Sequence, residues 1–268
     1  MTKAIEPFEL FALRYATHTG RQASDNFLGA DLHDTASDLD YFVWVARRGD
    51  QVFLIDTGFG QDAAERRQRT LLRRPAEALR MIGLDPARID AVILTHLHYD
   101  HAGTLEDYPN ARLHIQDSEV AYATGRCMCH APLRHPYDVE DVLGFVRCVH
   151  HGRVHFHQGA EQLADGLWLH HVGGHSAGLQ VARVWTARGW VVIASDASHL
   201  YANMQMGRPF PVLSSVAEMM EGFNTIHRLA DSPDHVIPGH DPLVMSRYQP
   251  PDSALAGVVV RLDRDPLP

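Results

Sequence analysis

The sequence predicts an α/β protein in which two β-sheets pack face to face with helices outside. The 268-residue chain divides into two similar halves, each with a pair of hairpin strands followed by a helix and a further strand. Apolar residues make up 45% of the chain, enough to fill a core between two sheets. We therefore treat residues 1–268 as a single domain.

The first half starts with a predicted strand at residues 8–15 and a long polar loop at residues 17–40. A hairpin of strands 41–47 and 52–56 follows, then a helix at residues 62–72. Pro75 begins a second helix that Gly83 ends. The continuous apolar run at residues 89–95 is typical of a strand buried on both faces, and residues 112–115 form the next strand.

The second half starts with residues 125–158, rich in histidine, cysteine and proline, for which we predict irregular structure. A strand at residues 167–172, a hairpin of strands 179–185 and 190–194, an amphipathic helix at 216–229 and a short strand at 235–237 follow. Long irregular segments in compact domains are often binding loops. We therefore expect loop 17–40 and segment 125–158 to cover the active site.

Polar residues repeatedly follow the ends of the predicted strands. Asp56, His96, Asp196 and His240 all occupy such positions. Strand ends on a rigid sheet are where α/β folds place ligand-binding groups. The pattern therefore predicts one functional site at one edge of the two sheets.

The run from Thr95 to His101 carries four side chains able to bind a metal. Imidazole and carboxylate groups suit zinc, iron or manganese. In a tight loop, alternate residues can reach two centres, so His96 and His98 would share one metal while Asp100 and His101 reach another. Two metals can hold a bridging hydroxide as the nucleophile for hydrolysis.

This motif resembles that of the metallo-β-lactamase superfamily. LIDTG at residues 54–58, GGHSAG at 173–178, ASDAS at 194–198 and PGHDP at 238–242 agree with it in order. The resemblance implies an αββα four-layer sandwich with a dinuclear metal site at one edge of the two sheets. It also implies two divalent ions, most simply Zn²⁺, with Fe or Mn as alternatives. It assigns one metal to His96, His98 and His175, the other to Asp100, His101 and His240, a bridge to Asp196 and an orienting hydrogen bond to Asp56.

Within that superfamily, the chain is most similar to the N-acyl homoserine lactonases. Asp196, where zinc-dependent β-lactamases carry a softer or non-bridging ligand, weighs against antibiotic hydrolysis. His98 replaces the glutamate of flavodiiron oxidoreductases. The resemblance implies a hydrolase that opens a lactone or ester by attack of a metal-bridging hydroxide. A glyoxalase-II-like thioesterase and a mononuclear iron persulfide dioxygenase are the alternatives.

The predicted catalytic residues are Asp100, Asp196, His199 and Tyr201. In the lactonases a tyrosine in the stretch Asp-Ala-Ser-Tyr polarises the substrate carbonyl, but here the stretch ends in His199. His199 can donate a hydrogen bond in its place, and Tyr201 offers a phenol two residues further on. Asp196, after bridging the metals, can shuttle a proton.

The net charge of the chain and its lack of signal-like or membrane-length segments indicate which partners and which cell compartment to expect. With 24 basic and 33 acidic residues, the net charge of −9 argues against binding to nucleic acid or anionic lipid. The chain has no signal-like start or membrane-length apolar run, and its three cysteines fit a reducing compartment, so we expect a cytoplasmic protein. Loop 17–40, in which Phe27 and Leu28 are expected to be exposed, could cover a partner's site. Lactonases of the group that the chain resembles often pair in this way, so the resemblance implies a homodimer.

Segment 125–158 leaves two hypotheses open. One is a second metal site built from its cysteines and histidines; the other is an active-site flap with buried thiols. Cys-x-Cys matches the usual zinc spacing poorly, which favours the flap. The residues concerned are Cys127, Cys129, His130, His135, Cys148, His150, His151, His155 and His157.

Overall fold

A computed structural model describes residues 5–31 and 33–268. Two β-sheets form the centre of this part of the chain. The strands are β1 Glu9–His18, β2 Leu39–Arg48, β3 Gln51–Ile55, β4 Thr70–Leu71, β5 Ala91–Ile93, β6 Arg112–Gln116, β7 Val154–His157, β8 Ala160–Ala164, β9 Leu167–His171, β10 Gln180–Thr186, β11 Gly189–Ser195, β12 Val236–Pro238 and β13 Val259–Arg261.

Helices cover both sheets. They are α1 Ala23–Asn26, α2 Gln61–Arg66, α3 Pro75–Met81, α4 Tyr99–Ala102, α5 Asp117–Ala123, α6 Ala131–Arg134, α7 Val139–His150, α8 Tyr201–Met206, α9 Val216–Leu229 and α10 Leu243–Arg247. The expected starts and ends have physical causes: Pro75 opens α3, the Ser215 hydroxyl accepts a hydrogen bond from Glu218 N at the start of α9, and Gly83 follows α3 at φ 79°.

The larger sheet has the strand order β13-β1-β2-β3-β5-β6-β7, with β4 paired to β1, and the smaller has β12-β11-β10-β9-β8. Alternate residues of β2 enter two different cores. Phe42 and Trp44 pack between the sheets with residues of the smaller sheet and α9, whereas Val43 and Val45 pack under α2, α3 and α7. The predicted αββα sandwich is confirmed.

Parallel pairing aligns the strand ends that carry the polar residues. β3 pairs parallel with β5 in the larger sheet, and β11 pairs parallel with β12 in the smaller sheet. The carboxyl ends of each pair therefore open at a common edge. This brings Asp56, the Thr95–His101 run, Asp196 and His240 to one side of the sandwich.

Two local predictions are wrong. The helix expected at residues 62–72 ends at Arg66, because the chain turns at Gln68 (φ 55°) and Thr70–Leu71 then adds to the sheet as β4. Residues 125–158 are not irregular, since they contain the twelve-residue helix α7 and strand β7. α7 carries a helical apolar stripe of Val142, Phe145 and Cys148, which the unusual histidine and cysteine content obscured.

Loop 17–40 also differs from expectation in one side chain. Phe27 is not exposed but packs with Leu39 and Leu200, while Leu28 beside it is exposed. Asn203 holds the loop by donating a hydrogen bond from Nδ2 to the Asn26 carbonyl at 2.8 Å. The loop therefore rests on its own chain. Within the described residues, no helix is both long and apolar enough to cross a membrane.

Candidate metal centre

Two groups of three side chains lie at the common edge of the sheets. His96, His98 and His175 form the first, and Asp100, His101 and His240 form the second. Within each group the potential ligand atoms lie within 4.8 Å of one another. Residues far apart in sequence thus converge into two adjacent groups of side chains that could each hold a metal ion.

Asp196 stands between the two groups. Its Oδ2 lies 3.1 Å from His175 Nε2, in the first group. Its Oδ1 lies 3.0 Å from His240 Nε2 and 3.3 Å from His101 Nε2, both in the second group. One carboxylate oxygen faces each ligand set, which is the arrangement a bridging ligand needs. The chain passes closely here, since a Cβ on Gly239 would lie only 2.8 Å from Asp196 Oδ1.

Unpaired polar atoms at the centre fit a bound cation. His96 Nε2, His101 Nε2 and Asp196 Oδ1 are buried, and although Asp196 Oδ1 lies close to two imidazole nitrogens, none of the three atoms makes a hydrogen bond of proper geometry within the described residues. Burying a polar atom without a partner costs free energy of folding, which a bound cation would offset. Imidazole nitrogen and carboxylate oxygen are ligands that zinc, iron and manganese accept. The residues present therefore fit a metal centre.

The electrostatics of the histidines point the same way. Burial, reinforced by neighbouring histidines, holds the pKa of His96 and of His98 well below the usual value, so both rings are neutral and keep a lone pair. Burial also works to lower the pKa of His101, but Asp196, Asp100 and Asp56 outweigh it and raise that pKa well above normal. The three carboxylates favour a positive charge at this position.

A surrounding layer of hydrogen bonds orients the rings. Asp56 Oδ2 lies 2.7 Å from His101 Nδ1, the Val212 carbonyl 2.6 Å from His175 Nδ1, and the Asp40 carbonyl 3.0 Å from His240 Nδ1. Each contact engages Nδ1 and turns Nε2 toward the centre. Asp56 itself sits in the left-handed backbone region at φ 61°, a strained conformation typical of functional sites.

Glu119 is a buried carboxylate that sequence reasoning missed. It accepts hydrogen bonds from Leu97 N at 3.0 Å, from Gly178 N at 3.1 Å and from the Tyr137 hydroxyl at 2.9 Å. It thereby ties the first histidine loop to the loop that carries His175. Its only sequence signal is a position just after strand β6, which many acidic residues share.

His199 reaches the site. Its Nε2 lies 2.8 Å from Asp196 Oδ2, and its ring stacks on Phe210 with the ring centroids 3.3 Å apart. Burial lowers the pKa of His199 to about 3, so the ring is neutral. A neutral ring beside a carboxylate donates its Nε2 proton to that carboxylate. His199 therefore contacts Asp196 and also lines the pocket.

Tyr201 does not reach the site, which corrects the expectation that it could supply a phenol. Its ring packs in the core of the smaller sheet, and Arg247 lies over it at 4.6 Å from the centroid. The side chain turns inward because Tyr201 begins helix α8, where Asp241 accepts a hydrogen bond from its backbone N–H.

A cavity of about 100 Å³ opens onto the ligand groups. Tyr41 and Tyr99, which sequence reasoning missed as pocket residues, line it with hydroxyl oxygens 3.4 Å apart. Burial raises the pKa of Tyr41 to about 12, so its phenol stays protonated and can donate a hydrogen bond. Tyr41 and His199 are thus polar residues that line the pocket together with members of both groups.

The sequence model described as "Metallo-beta-lactamase superfamily" matches residues 37–256, which include both ligand groups and Asp196. The chain belongs to the metallo-β-lactamase superfamily. The predicted membership is thus confirmed.

The relatives compared with this chain share a quarter to a third of its residues over the matched segments. The chain is 24% identical over 240 residues to a probable metallo-hydrolase, Rv2300c, of Mycobacterium tuberculosis, covering 78% of this chain and 74% of that protein. It is 32% identical over 131 residues to the N-acyl homoserine lactonase AiiB of Agrobacterium fabrum, covering 47% of each. A crystal structure of a quorum-quenching N-acyl homoserine lactone lactonase superposes with a TM-score of 0.73 at 21% identity, covering 91% of this chain and 95% of that one. At this identity the superposition shows a shared fold.

A larger cavity, of about 860 Å³, is lined by none of the residues of the two candidate metal-binding groups. Arginine and carboxylate side chains line it together, and some pair with one another: Arg66 with Asp138, and Arg74 with Glu106 at 3.6 Å. None of the described groups able to hold a metal lies there. The smaller cavity is therefore the candidate functional site.

Segment 125–158 contributes to the site only in part. His135 and Pro136 line the pocket, and the Tyr137 ring lies 4.5 Å from the His98 ring between centroids. The expected buried thiols are wrong for two of three cysteines, since only Cys148 is buried, and none belongs to a described metal-binding group. His155 and His157 instead join Glu161 in a separate group at the outer edge of the sheets.

Proposed function

We propose that this protein is a dinuclear metal-dependent hydrolase that opens the ring of a lactone, with N-acyl homoserine lactones as the first class to test. The observation that carries the proposal is the position of Asp196, with one oxygen toward each of two ligand triads. Similarity to N-acyl homoserine lactonases supports the substrate class. Zn²⁺ is the proposed metal, with Fe or Mn as alternatives.

Two divalent ions bound here would polarise the substrate carbonyl and lower the pKa of a water to produce the attacking hydroxide. The chain's own groups have separate tasks. The Tyr41 phenol, protonated at neutral pH, can donate a hydrogen bond to an oxygen that becomes negative during ring opening. Phe210, stacked on His199, keeps that ring in place beside the ligands.

Proton transfer to the leaving alkoxide needs a group close to both the ligands and the pocket. Asp196 Oδ2 meets this condition, since it touches His175 and lies 2.8 Å from His199 Nε2. His199 is 11% exposed at its side chain and lines the pocket. We propose that Asp196 Oδ2 transfers the proton to the leaving alkoxide. His199 would assist by donating its hydrogen bond to Asp196 Oδ2. Asp100 completes the second ligand group.

Metal analysis combined with a substrate panel tests the proposal. Purified protein should contain about two metal ions per chain and hydrolyse lactones. Fully loaded protein that is inert toward a broad panel of lactones and esters would contradict it. One iron per chain with oxygen consumption on a persulfide would establish the dioxygenase alternative, and a clear preference for glutathione thioesters would establish the thioesterase.

The homodimer remains a proposal that rests on loop 17–40. Leu28 is exposed on that loop, although Phe27 is buried against Leu39 and Leu200. Sedimentation of the wild-type protein beside a Leu28→Ser variant tests it. A monomer at every concentration would contradict the proposal.

A further inference from the structure

Three arginines line the same pocket as the metal ligands. They are Arg21 in the loop after β1, and Arg67 and Arg69 between α2 and β4. Within the described residues, none of the three lies within 4.0 Å of a carboxylate oxygen, whereas arginines such as Arg208 and Arg247 pair with aspartates. Uncompensated guanidinium groups inside a pocket favour an anionic ligand.

His18 contacts two of these arginines and cannot accept a hydrogen bond from both. Arg21 Nη1 lies 3.2 Å from His18 Nδ1, and Arg69 Nη1 lies 3.2 Å from His18 Nε2. Burial and the two arginines lower the pKa of His18 to about 4, so its ring is neutral at neutral pH. A neutral imidazole has one acceptor nitrogen only, so one guanidinium N–H faces another N–H.

A second unpaired donor lies in the same cluster. Arg21 Nε is buried and has no hydrogen-bond partner among the described residues. The other described contact of Arg21, from Nη2 to the Asp25 carbonyl at 2.6 Å, adds no negative charge. Arg69 Nη1 also donates to the Arg67 carbonyl at 2.6 Å, a contact that likewise adds no negative charge. The Arg21–His18–Arg69 cluster therefore keeps an unpaired N–H donor and, among the described residues, has no carboxylate within ion-pair distance of either guanidinium.

Arg67 has a different role. Its Nη2 donates to the carbonyls of His135 and Tyr137, each at 3.0 Å, and its guanidinium lies 3.9 Å from the centroid of the Tyr99 ring. These contacts hold segment 135–137 at the pocket, so Arg67 is mainly a structural residue. Arg21 and Arg69 are left as the groups available to a ligand.

The cluster is directly beside the metal ligands. Arg69 Nε donates to the Tyr99 hydroxyl at 3.2 Å, and Tyr99 precedes Asp100 in the chain. The charges of the ligand centre do not require the arginines, because Asp56, Asp100 and Asp196 together with a hydroxide would balance two divalent ions. The positive charge at Arg21 and Arg69 therefore remains for a group on the substrate.

We infer that Arg21 and Arg69 form a binding site for an anionic group of the substrate, so that the preferred substrate is a lactone that carries a carboxylate. The inference rests on the proposed lactonase function. It differs from a site for an uncharged acyl chain, for which apolar side chains would be expected at this position. Planar carboxylates match guanidinium donors in geometry.

A matched pair of substrates tests the inference. N-hexanoyl homoserine lactone and N-adipoyl homoserine lactone have acyl chains of equal carbon number, but the second ends in a carboxylate. In the metal-loaded protein, kcat/KM should be about ten-fold or more higher for the adipoyl compound at low salt, with the advantage shrinking as ionic strength rises. Equal kcat/KM values for the two would overturn the inference and leave the lactonase proposal intact.

Two variants and a control locate the effect. Arg21→Gln and Arg69→Gln should each lower the adipoyl-to-hexanoyl ratio of kcat/KM about ten-fold, with the change mainly in KM for the adipoyl compound. Arg80→Gln, an exposed arginine on α3, should leave the ratio unchanged. A ratio that stays at the wild-type value in both pocket variants would overturn the inference. Arg21 lies in a loop, so its variant remains informative if Arg69→Gln does not fold.

Binding of an inert analogue separates this inference from the proposed function. In the lactam analogues of the two compounds, an amide replaces the ring ester. Calorimetry should show tighter binding of the adipoyl lactam, and the preference should weaken in Arg21→Gln. Charge-dependent lactam binding without lactone hydrolysis would support the anion site and refute the lactonase function. Lactone hydrolysis with no charge preference in lactam binding would support the lactonase function and refute the anion site.

Discussion

Asp56 Oδ2 and His101 Nδ1 are 2.7 Å apart, and this contact joins the end of strand β3 to the second ligand group. Asp56 also accepts hydrogen bonds from Thr95 N at 2.7 Å and from Thr95 Oγ1 at 2.8 Å. One carboxylate thereby sets the direction of an imidazole and the start of the loop that bears it. The pair shows how the fold prepares the candidate metal centre.

Replacing Asp56 should weaken metal binding without removing a ligand. In Asp56→Asn an amide N–H₂ competes for the place of a carboxylate oxygen, so His101 loses its fixed orientation. Metal affinity should fall about 10–100-fold, as measured by competition with a chelator. Asp90→Asn, at an exposed aspartate, is the matched control. Unchanged affinity in Asp56→Asn would show that His101 does not depend on this contact.

Removing one ligand should empty one of the two sets. His96 belongs to the first group, and its Nε2 is buried with no partner among the described residues. His96→Ala should abolish hydrolysis and lower the metal content from about two ions per chain to about one, as measured by elemental analysis. The control variant His33→Ala, at an exposed histidine, should keep both the hydrolytic activity and the metal content of the wild type. A His96→Ala protein with full metal content would remove His96 from the ligand set.

His199 should affect turnover more than metal binding. In His199→Phe the aromatic stacking on Phe210 is kept, but the hydrogen bond to Asp196 is lost. We expect kcat to fall about 10–100-fold while metal content is unchanged. Full activity in this variant would show that neither the carbonyl nor the proton-transfer step uses His199.

Glu119 should contribute to stability through its three hydrogen bonds. In Glu119→Gln an amide N–H₂ replaces one acceptor oxygen and faces the backbone or phenol donors that Glu119 now accepts. The free energy of unfolding should drop by about 2–3 kcal/mol, as measured by urea denaturation. The exposed Glu140 supplies the control variant Glu140→Gln. A loss below the error of the measurement would mean that the loops hold together without this carboxylate.

His114 should make stability depend on pH. Burial, reinforced by His157 and His155, lowers the pKa of His114 to about 4 in the folded protein, against about 6.5 when unfolded. The unfolded chain therefore binds the proton first, and stability decreases as pH falls through 6.5 toward 4. Between pH 7.5 and 5, His114→Gln should lose about 1 kcal/mol less stability than wild type.

Urea midpoints at several pH values measure this difference, and His151→Gln at an exposed position is the control. Metal release at low pH affects both proteins equally, so only the difference between them is interpreted. Parallel pH curves for wild type and His114→Gln would rule out a contribution from His114.

Local patterns allowed the sequence to predict much of the fold. Residues 216–229 form a helix with the bounds that their periodicity indicates, and each half contains the expected hairpin. The patterns failed where composition obscured periodicity, as in α7, or where a turn interrupted it, as at Gln68. Those failures concern single elements and do not change the architecture.

The sequence by itself determined the superfamily, the layered fold and the residues that gather at the strand ends, because a strand, its end and the loop after it are adjacent in the chain. Only the tertiary structure decided which side chains face the pocket. It excluded Tyr201, and it brought Glu119 and the Arg21–His18–Arg69 cluster to the site. The physical reason is that side-chain direction and the pairing of charges depend on contacts between segments distant in the chain, which local sequence does not encode. Arg69 and His18 are 51 residues apart, and Glu119 and Gly178 are 59 residues apart.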